Sequence, residues 1–534
     1  MPQPSTSPLD WSATEIAQRI AGRQVSATEV AKAFIARIEE VNPALNAVVI
    51  PRFEQALAEA AAADQQQARG QPLGPLHGVP MTVKECFHVA GTKATIGLSR
   101  ADYQQPATED GVMVARLRRA GAIILGKTNL PQLMIWHECD NPVYGRTNNP
   151  WDLSRTPGGS TGGEAAIIAA RGSPLGLGND LGGSIRVPCH FCGIHGFKPT
   201  SFRLTRKGTR HTLHGFEAIV TQPGPMARQV ADLWLMLQVL ADNSNGDNPP
   251  DVPPAQLGDP SQIDVAALRV AVWTDDRVFP PSAAVQRAVR EAAAALAARG
   301  ATIVELNPAE MCAPLSMDEM FATYCSLIGS DGGAGARRLA ADSKLDWRVA
   351  RLIWLAGLGP VRRSAVLSSL KLTGQKWMAR LVSAARPVSA DQFWQLSFQR
   401  LEFAARFTER LRSRGIDAIL CPPHALPATP HLAGFDLIAA ASYSMLFNFI
   451  GFPAGVVSTT RVRPDEAAGR WNDRDVVLRQ AAATDEGSAG LPIGVQVAAL
   501  PWRDDIVLAV MGAIETSLRT KQDWPIHELA VTKA

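Results

Sequence analysis

Residues 156–200 read TPGGSTGGEAAIIAARGSPLGLGNDLGGSIRVPCHFCGIHGFKPT. Two Gly-rich loops bracket an Ala/Ile run that predicts a short helix, and each loop carries a serine behind two glycines, Ser160 and Ser184. Glycine reaches backbone angles closed to other residues, and its missing side chain lets a ligand approach the peptide N–H groups. Two such loops a few turns apart point to chemistry rather than packing.

Several familiar sites are tested by this stretch and fail. Gly158-Gly159-Ser160-Thr161-Gly162 formally matches G-x-S-x-G, but a nucleophile elbow needs a strand directly before its serine. The residues before it, NNPWDLSRTP, are polar and interrupted by prolines. No GxxxxGK[ST] is present, and Gly176-x-Gly178-x-x-x-Gly182 has the wrong spacing for a dinucleotide fingerprint. Cys189-x-x-Cys192 lies near His190 and His195 but lacks a second pair to complete four zinc ligands. These cysteines read as buried free thiols, and no metal or cofactor is expected.

Two features remain. Ser184 closes the run Asn179–Ser184, whose Gly-Gly-Ser turn can aim successive N–H groups into one concavity, as an oxyanion hole requires. Alone, such a turn reads as structural. Upstream, GPLHGVPMTVK (74–84) is a Gly/Pro turn leading into an apolar strand that ends at Lys84. A lone lysine is normally a solvated charge. At the end of an apolar strand it is partly desolvated, which lowers its pKa and lets the neutral amine act as a base.

Along the chain, Ser26-x-x-Glu29 is a capping box opening an amphipathic helix that is expected to end near Asn42-Pro43. Strands are expected at 47–50, 122–125, 194–197, 268–273, 301–305, 418–421 and 493–499, and helices at 112–120, 231–240, 282–299 and 390–413. Residues 242–262, rich in Asn, Asp and Pro, read as a loop. Strands alternating with helices over the whole length predict an α/β fold with a sheet covered on both faces.

The chain has 534 residues, 46% hydrophobic and 19% charged, with a net charge of +3. That balance fits a large globular core and gives no reason to expect nucleic acid. The charge is uneven: 344–386 holds nine Lys/Arg against Asp346, a local +8 that leaves about −5 elsewhere. Its basic residues alternate with Trp347, Trp354, Trp377 and several leucines, which is either a pair of ordinary surface helices or an interfacial, lipid-facing segment. The seven scattered cysteines and an N-terminus without a basic, apolar leader point to a reduced, cytoplasmic setting. The uncharged run Leu437–Thr460 contains Ser442, Asn448 and Pro453 and reads as buried core, not as a membrane span.

Taken together, Lys84, the PGGSTGG loop and GNDLGGSIR resemble the amidase signature family of Ser–cisSer–Lys amide hydrolases, from about Ser26 to the C-terminal helix. The fatty acid amide hydrolase branch is the most similar, through VKECF (83–87), SPLGLG (173–178), FCGIHGFKPT (191–200), FPAGVV (452–457) and LPIGVQVAALPW (491–502). The resemblance implies the amidase-signature fold, a large mixed β-sheet covered by helices on both faces, as one domain over 1–534. That domain would include an N-terminal helical region at 1–72 and a basic, apolar cap at 340–390. It implies Ser184 as nucleophile, Ser160 (preceded by a cis peptide) as proton relay and Lys84 as base and acid. The backbone N–H groups of Leu181, Gly182, Gly183 and Ser184 would form the oxyanion hole, and Met134 would line the substrate site. Two positions depart from the family pattern: Thr161 replaces a serine and Asn179 a threonine.

The expected activity is hydrolysis of acyl amides, with long or apolar acyl chains foremost. The expected partners are a small-molecule acyl amide and a second copy of the chain in a homodimer. A membrane surface would be touched peripherally through 345–385. Two other enzyme readings share the motifs: a broad amidase for small aliphatic or aryl amides, and one component of a tRNA-dependent amidotransferase. A catalytically dead binding protein fits less well, because all three catalytic positions are filled.

Overall fold

The computed structural model describes residues 7–247, 249–250, 252–470 and 474–526. The strands among them are β1 (Val48–Pro51), β2 (Pro80–Lys84), β3 (Ile123–Thr128), β4 (Asp140–Asn141), β5 (Gly145–Arg146) and β6 (Leu175–Asp180). They continue with β7 (His195–Lys198), β8 (Gln222–Ala227), β9 (Arg269–Val272), β10 (Thr302–Glu305), β11 (Ala418–Cys421), β12 (Ala454–Arg461) and β13 (Pro492–Ala499). Strands β4 and β5 form a small separate hairpin. The other eleven make one mixed sheet in the order β1-β3-β2-β6-β8-β7-β12-β13-β11-β9-β10.

The sheet is parallel across β3-β2-β6 and again across β11-β9-β10, and antiparallel between them. Parallel pairing of β2 with β6 (Thr82 opposite Gly176, Val83 opposite Leu177) brings the C-terminal ends of both strands to one edge. Lys84 ends the first and Asp180 the second. Ligands in open α/β sheets bind at that end of the strands.

The buried helix Gly162–Ala169 lies against this edge. Glycines in β6 allow its approach: a Cβ at Gly176 would run into the Glu164 side chain, and one at Gly178 would lie 2.7 Å from Thr161 Cγ2. The second glycine-rich segment of the sequence is therefore mostly strand, and only its Leu181–Ser184 end is a turn.

The capping box at Ser26 and Glu29 forms. Its helix continues past the expected stop to Leu45, because Asn42 O still accepts from Asn46 N at 2.7 Å, so Pro43 sits in the final turn. The uncharged run from Leu437 becomes a buried helix (Ser442–Phe449) and then β12. Among the described residues, no helix is long and apolar enough to cross a membrane. The 242–262 loop is open as expected, with residues 248 and 251 outside the described set.

The basic segment is not the expected pair of helices. Trp347–Ala356, Pro360–Leu372 and Lys376–Ala384 form a three-helix cap. Two of its cations are internal. Arg363 donates to the carbonyls of Leu355 (3.2 Å), Ala356 (3.0 Å), Leu358 (3.3 Å) and Ala385 (2.9 Å), tying the three helices together. Buried Arg348 pairs with Glu138 at 2.7 Å, Asp140 at 2.8 Å and Asp346 at 2.5 Å. Arg362 and Lys371 are exposed, as are Trp347, Trp354, Val361 and Leu372.

Candidate active site

Lys84 is fully buried at the end of β2. Its Nζ lies 2.7 Å from Ser160 Oγ, 3.0 Å from Thr161 Oγ1 and 2.7 Å from Asn179 Oδ1. The two positions that depart from the family pattern thus both touch the lysine. Among the described residues, no carboxylate forms an ion pair with it, and all three partners are neutral oxygens. Burial lowers the Lys84 pKa to about 8, although the Asp180 and Glu164 carboxyls and the nearby Cys86 and Cys139 thiols pull the other way. Glu164, beneath this cluster, is pushed up to about 8 by burial, despite hydrogen bonds from Thr82 and Thr128.

Ser160 is buried on the first glycine loop, and the Gly159–Ser160 peptide is cis. Gly158, with φ +83°, makes the bend before it. Ser184 is placed by the turn after β6 and lines a cavity of about 220 Å³, as does Ser160. Thr161 N donates to Ser184 O at 3.1 Å, so a backbone hydrogen bond joins the two serine loops directly. The intervening helix does not have to bring them together.

The turn is built on Asp180 and Arg186. Arg186 Nε and Nη2 reach the Asp180 carboxylate at 3.0 and 2.9 Å, and both side chains are fully buried. Burial alone would raise the Asp180 pKa, but the guanidinium and the Gly183 N–H outweigh it and hold the carboxyl well below its usual range. Asp180 Oδ1 accepts from Gly183 N at 2.8 Å, and Oδ2 from Ile185 N at 3.0 Å. Arg186 is anchored in turn by Ser444 O at 2.8 Å and Gln496 Oε1 at 2.7 Å.

Of the four expected oxyanion donors, one has an acceptor within the protein. Gly183 N–H is already held by Asp180, and φ +104° at Gly183 turns the chain there. Among the described residues the N–H groups of Leu181, Gly182 and Ser184 have no acceptor, which leaves three free donors. The Gly182 carbonyl lies 3.1 Å from His137 Nε2. Burial lowers the His137 pKa to about 4, so its ring is neutral near pH 7.

Met134 lines the cavity from the loop after β3, with φ +54°. Most of the remaining wall is apolar: Leu213, Phe216 and Ile328 are joined by Leu352, Ile353 and Leu381 from the cap. Asp180, Arg186, His137 and Tyr324 are site residues that sequence reasoning misses. Asp180 and Arg186 stand in the quoted motif, six apart, and that spacing across a tight turn is the signal that could have found the pair. The seven cysteines are free and buried, with Cys189 and Cys192 inside the helix Arg186–Cys192. Among the described residues no group of His, Cys, Asp and Glu could hold a metal ion.

Residues 29–508 match the amidase family. The fatty-acid amide hydrolase 1 of Sus scrofa is 35% identical over 515 residues, covering 94% of this chain and 84% of the relative. A glutamyl-tRNA(Gln) amidotransferase subunit of Streptomyces coelicolor is 32% identical, covering 98% of this chain and 99% of the relative. A solved fatty acid amide hydrolase superposes with a TM-score of 0.81 at 25% identity, over 96% of this chain and 87% of its own. The chain therefore belongs to the amidase family, enzymes that hydrolyse amide C–N bonds.

Proposed function

We propose that this enzyme is a serine hydrolase of acyl amides with long or apolar acyl chains, working through an acyl-enzyme on Ser184. The observation that carries the reading is a buried lysine with only neutral partners, 2.7 Å from a serine that shares an apolar cavity with a second serine.

The hydrogen-bond partners accommodate a neutral base. Asn179 Oδ1 can only accept, so it takes one Lys84 N–H. Thr161 donates its hydroxyl proton to Asn179 O at 3.2 Å and therefore also accepts from Lys84. With two N–H groups committed, the amine lone pair of neutral Lys84 faces Ser160. Lys84 then takes the Ser160 hydroxyl proton as Ser160 takes that of Ser184, and Ser184 Oγ adds to the acyl carbon. The N–H groups of Leu181, Gly182 and Ser184 hold the resulting oxyanion. Collapse breaks the C–N bond, and the proton returns from the Lys84 ammonium through Ser160 to the leaving amine. Water, activated by the same relay, releases the acid.

The cavity wall favours apolar acyl chains over the side chain of glutamine, in keeping with the fatty acid amide hydrolase relatives rather than the amidotransferase relative. Each buried CH₂ is worth about 0.8 kcal/mol, so kcat/KM should rise about fourfold per methylene until the cavity is full. Initial rates over a series of acyl amides test this. A flat or falling series supports a small-amide enzyme instead, and failure to release any amine without partner chains supports the amidotransferase reading.

Peripheral membrane contact is proposed through the exposed residues of the cap, among them Trp347, Trp354 and Leu372 together with Arg362 and Lys371. Arg348 and Arg363 are excluded from this surface by their internal partners. Each exposed cation near an anionic bilayer contributes about 1 kcal/mol, so the Arg362→Glu/Lys371→Glu variant should lose at least about thirtyfold in partitioning onto anionic vesicles. Unchanged flotation would contradict the contact.

A further inference from the structure

Tyr324 lies outside every signature motif, on the helix Met317–Ile328, yet it reaches the oxyanion turn. Its hydroxyl donates to Leu181 O at 3.1 Å. A trans peptide unit is planar, with C=O of one residue and N–H of the next pointing in opposite directions. Holding Leu181 O on the Tyr324 side therefore directs Gly182 N–H away from Tyr324. That N–H is one of the three without an acceptor among the described residues. Contact on this side is close enough that a Cβ at Gly182 would overlap the Tyr324 hydroxyl. Burial raises the Tyr324 pKa above its usual value, which keeps the hydroxyl protonated and donating.

The same helix is part of the acyl cavity, through Cys325 and Ile328. It is also fastened to the cap. Ser326 Oγ donates to Ala384 O at 2.9 Å, and Arg380 pairs with Asp318 while lying 5.3 Å over the Phe321 ring. A chain filling the space between Ile328 and Leu381 thus bears on the element that holds Leu181 O.

We propose, on the serine-amidase reading above, that Tyr324 is a positioning residue: it sets the Leu181–Gly182 peptide plane, aims Gly182 N–H at the oxyanion, and links acyl-chain occupancy to the rate of bond breaking. Tyr324→Phe removes one oxygen and leaves the ring. The expected result is a roughly 100-fold fall in kcat, the scale of one misplaced oxyanion donor, with KM within about twofold of the parent. An alkyl trifluoromethyl ketone, whose serine adduct carries the same oxyanion, should lose affinity by the same factor. In the parent, kcat itself should rise with acyl length, in Tyr324→Phe it should not, and the melting midpoint should confirm that the variant is folded. A kcat within about threefold of the parent overturns the proposal, as does a loss confined to KM or an unchanged ketone affinity. In those outcomes the parent still turns over acyl amides and the proposed function stands. A parent enzyme that hydrolyses no acyl amide defeats the proposed function and the positioning role with it.

Discussion

Lys84→Ala is expected to lower kcat/KM for an acyl amide by about 10³-fold to 10⁴-fold, the upper range for removal of a general base. The parent enzyme is expected to lose activity in acid for the same reason. Lys84 accepts a proton only when neutral, and its pKa is lowered to about 8. Below that pH, log kcat/KM should rise with unit slope; near pH 7 about a tenth of the enzyme is in the active form, and the rate levels off above about pH 8. In Lys84→Ala this limb disappears. Initial rates from about pH 6 to pH 10 check both statements, and a parent profile that falls on passing pH 8 would contradict a neutral lysine base.

Lys84→Met separates chemistry from folding. Methionine fills the space of the lysine stem without a charge. It ends the desolvation cost of the amine but leaves Asn179 Oδ1 without that donor, and a buried acceptor left unpaired costs about 1–3 kcal/mol. This variant is expected to be as inactive as Lys84→Ala and, with no cavity left behind, to have a higher urea midpoint than Lys84→Ala.

Ser184→Ala is expected to be the most damaging single change, with kcat falling by about 10⁶-fold, the scale seen when a nucleophile is removed from a cooperating set. Ser160→Ala should cost less, about 10²-fold to 10⁴-fold, because it interrupts proton transfer while leaving the nucleophile and the three oxyanion donors in place. The ordering is informative because the motif alone ranks the serines the other way: Ser160 carries the G-x-S-x-G match. Ser160 is 2.7 Å from Lys84 and buried, whereas Ser184 closes the turn whose free N–H groups would receive an oxyanion under the proposed mechanism. Steady-state rates of the two alanine variants on one substrate decide between these assignments.

What the sequence discloses follows physical lines. Local signals are clear wherever a segment meets its own requirements: the Ser26 capping box, the Pro80–Lys84 strand and the long helix Ala390–Ser413 are legible without tertiary knowledge. Strand β8 is hidden because Pro223 and Pro225 lack N–H donors, which argues against a central strand. It is tolerated because β7 pairs with β8 only at Met226 and Ala227. Strand β6 is hidden by glycines that make room for the helix Gly162–Ala169 rather than a flexible loop.

Within the site, glycine spacing and an apolar strand end draw attention to Lys84 and the two serines, but the roles expected of them come from the family resemblance. The commitment of Gly183 N–H to Asp180 is not legible, since it depends on a side chain three residues away folding back on the turn. Tyr324 is beyond reach for a similar reason: 143 residues separate it from Leu181, and only tertiary packing brings them together. The two internal arginines carry the same lesson, because charge counting cannot distinguish a cation facing lipid from one that ties helices to one another.

The central claim is that Ser184 becomes acylated during amide hydrolysis. Acid-quenching the enzyme during turnover of an acyl amide or its ester analogue, followed by peptide mass mapping, tests it directly. The expected result is one acyl group on the peptide containing Ser184, absent from Ser184→Ala and slow to form in Lys84→Ala. An acyl group on Ser160 or on a cysteine, or steady turnover with no covalent adduct on any peptide, would contradict it.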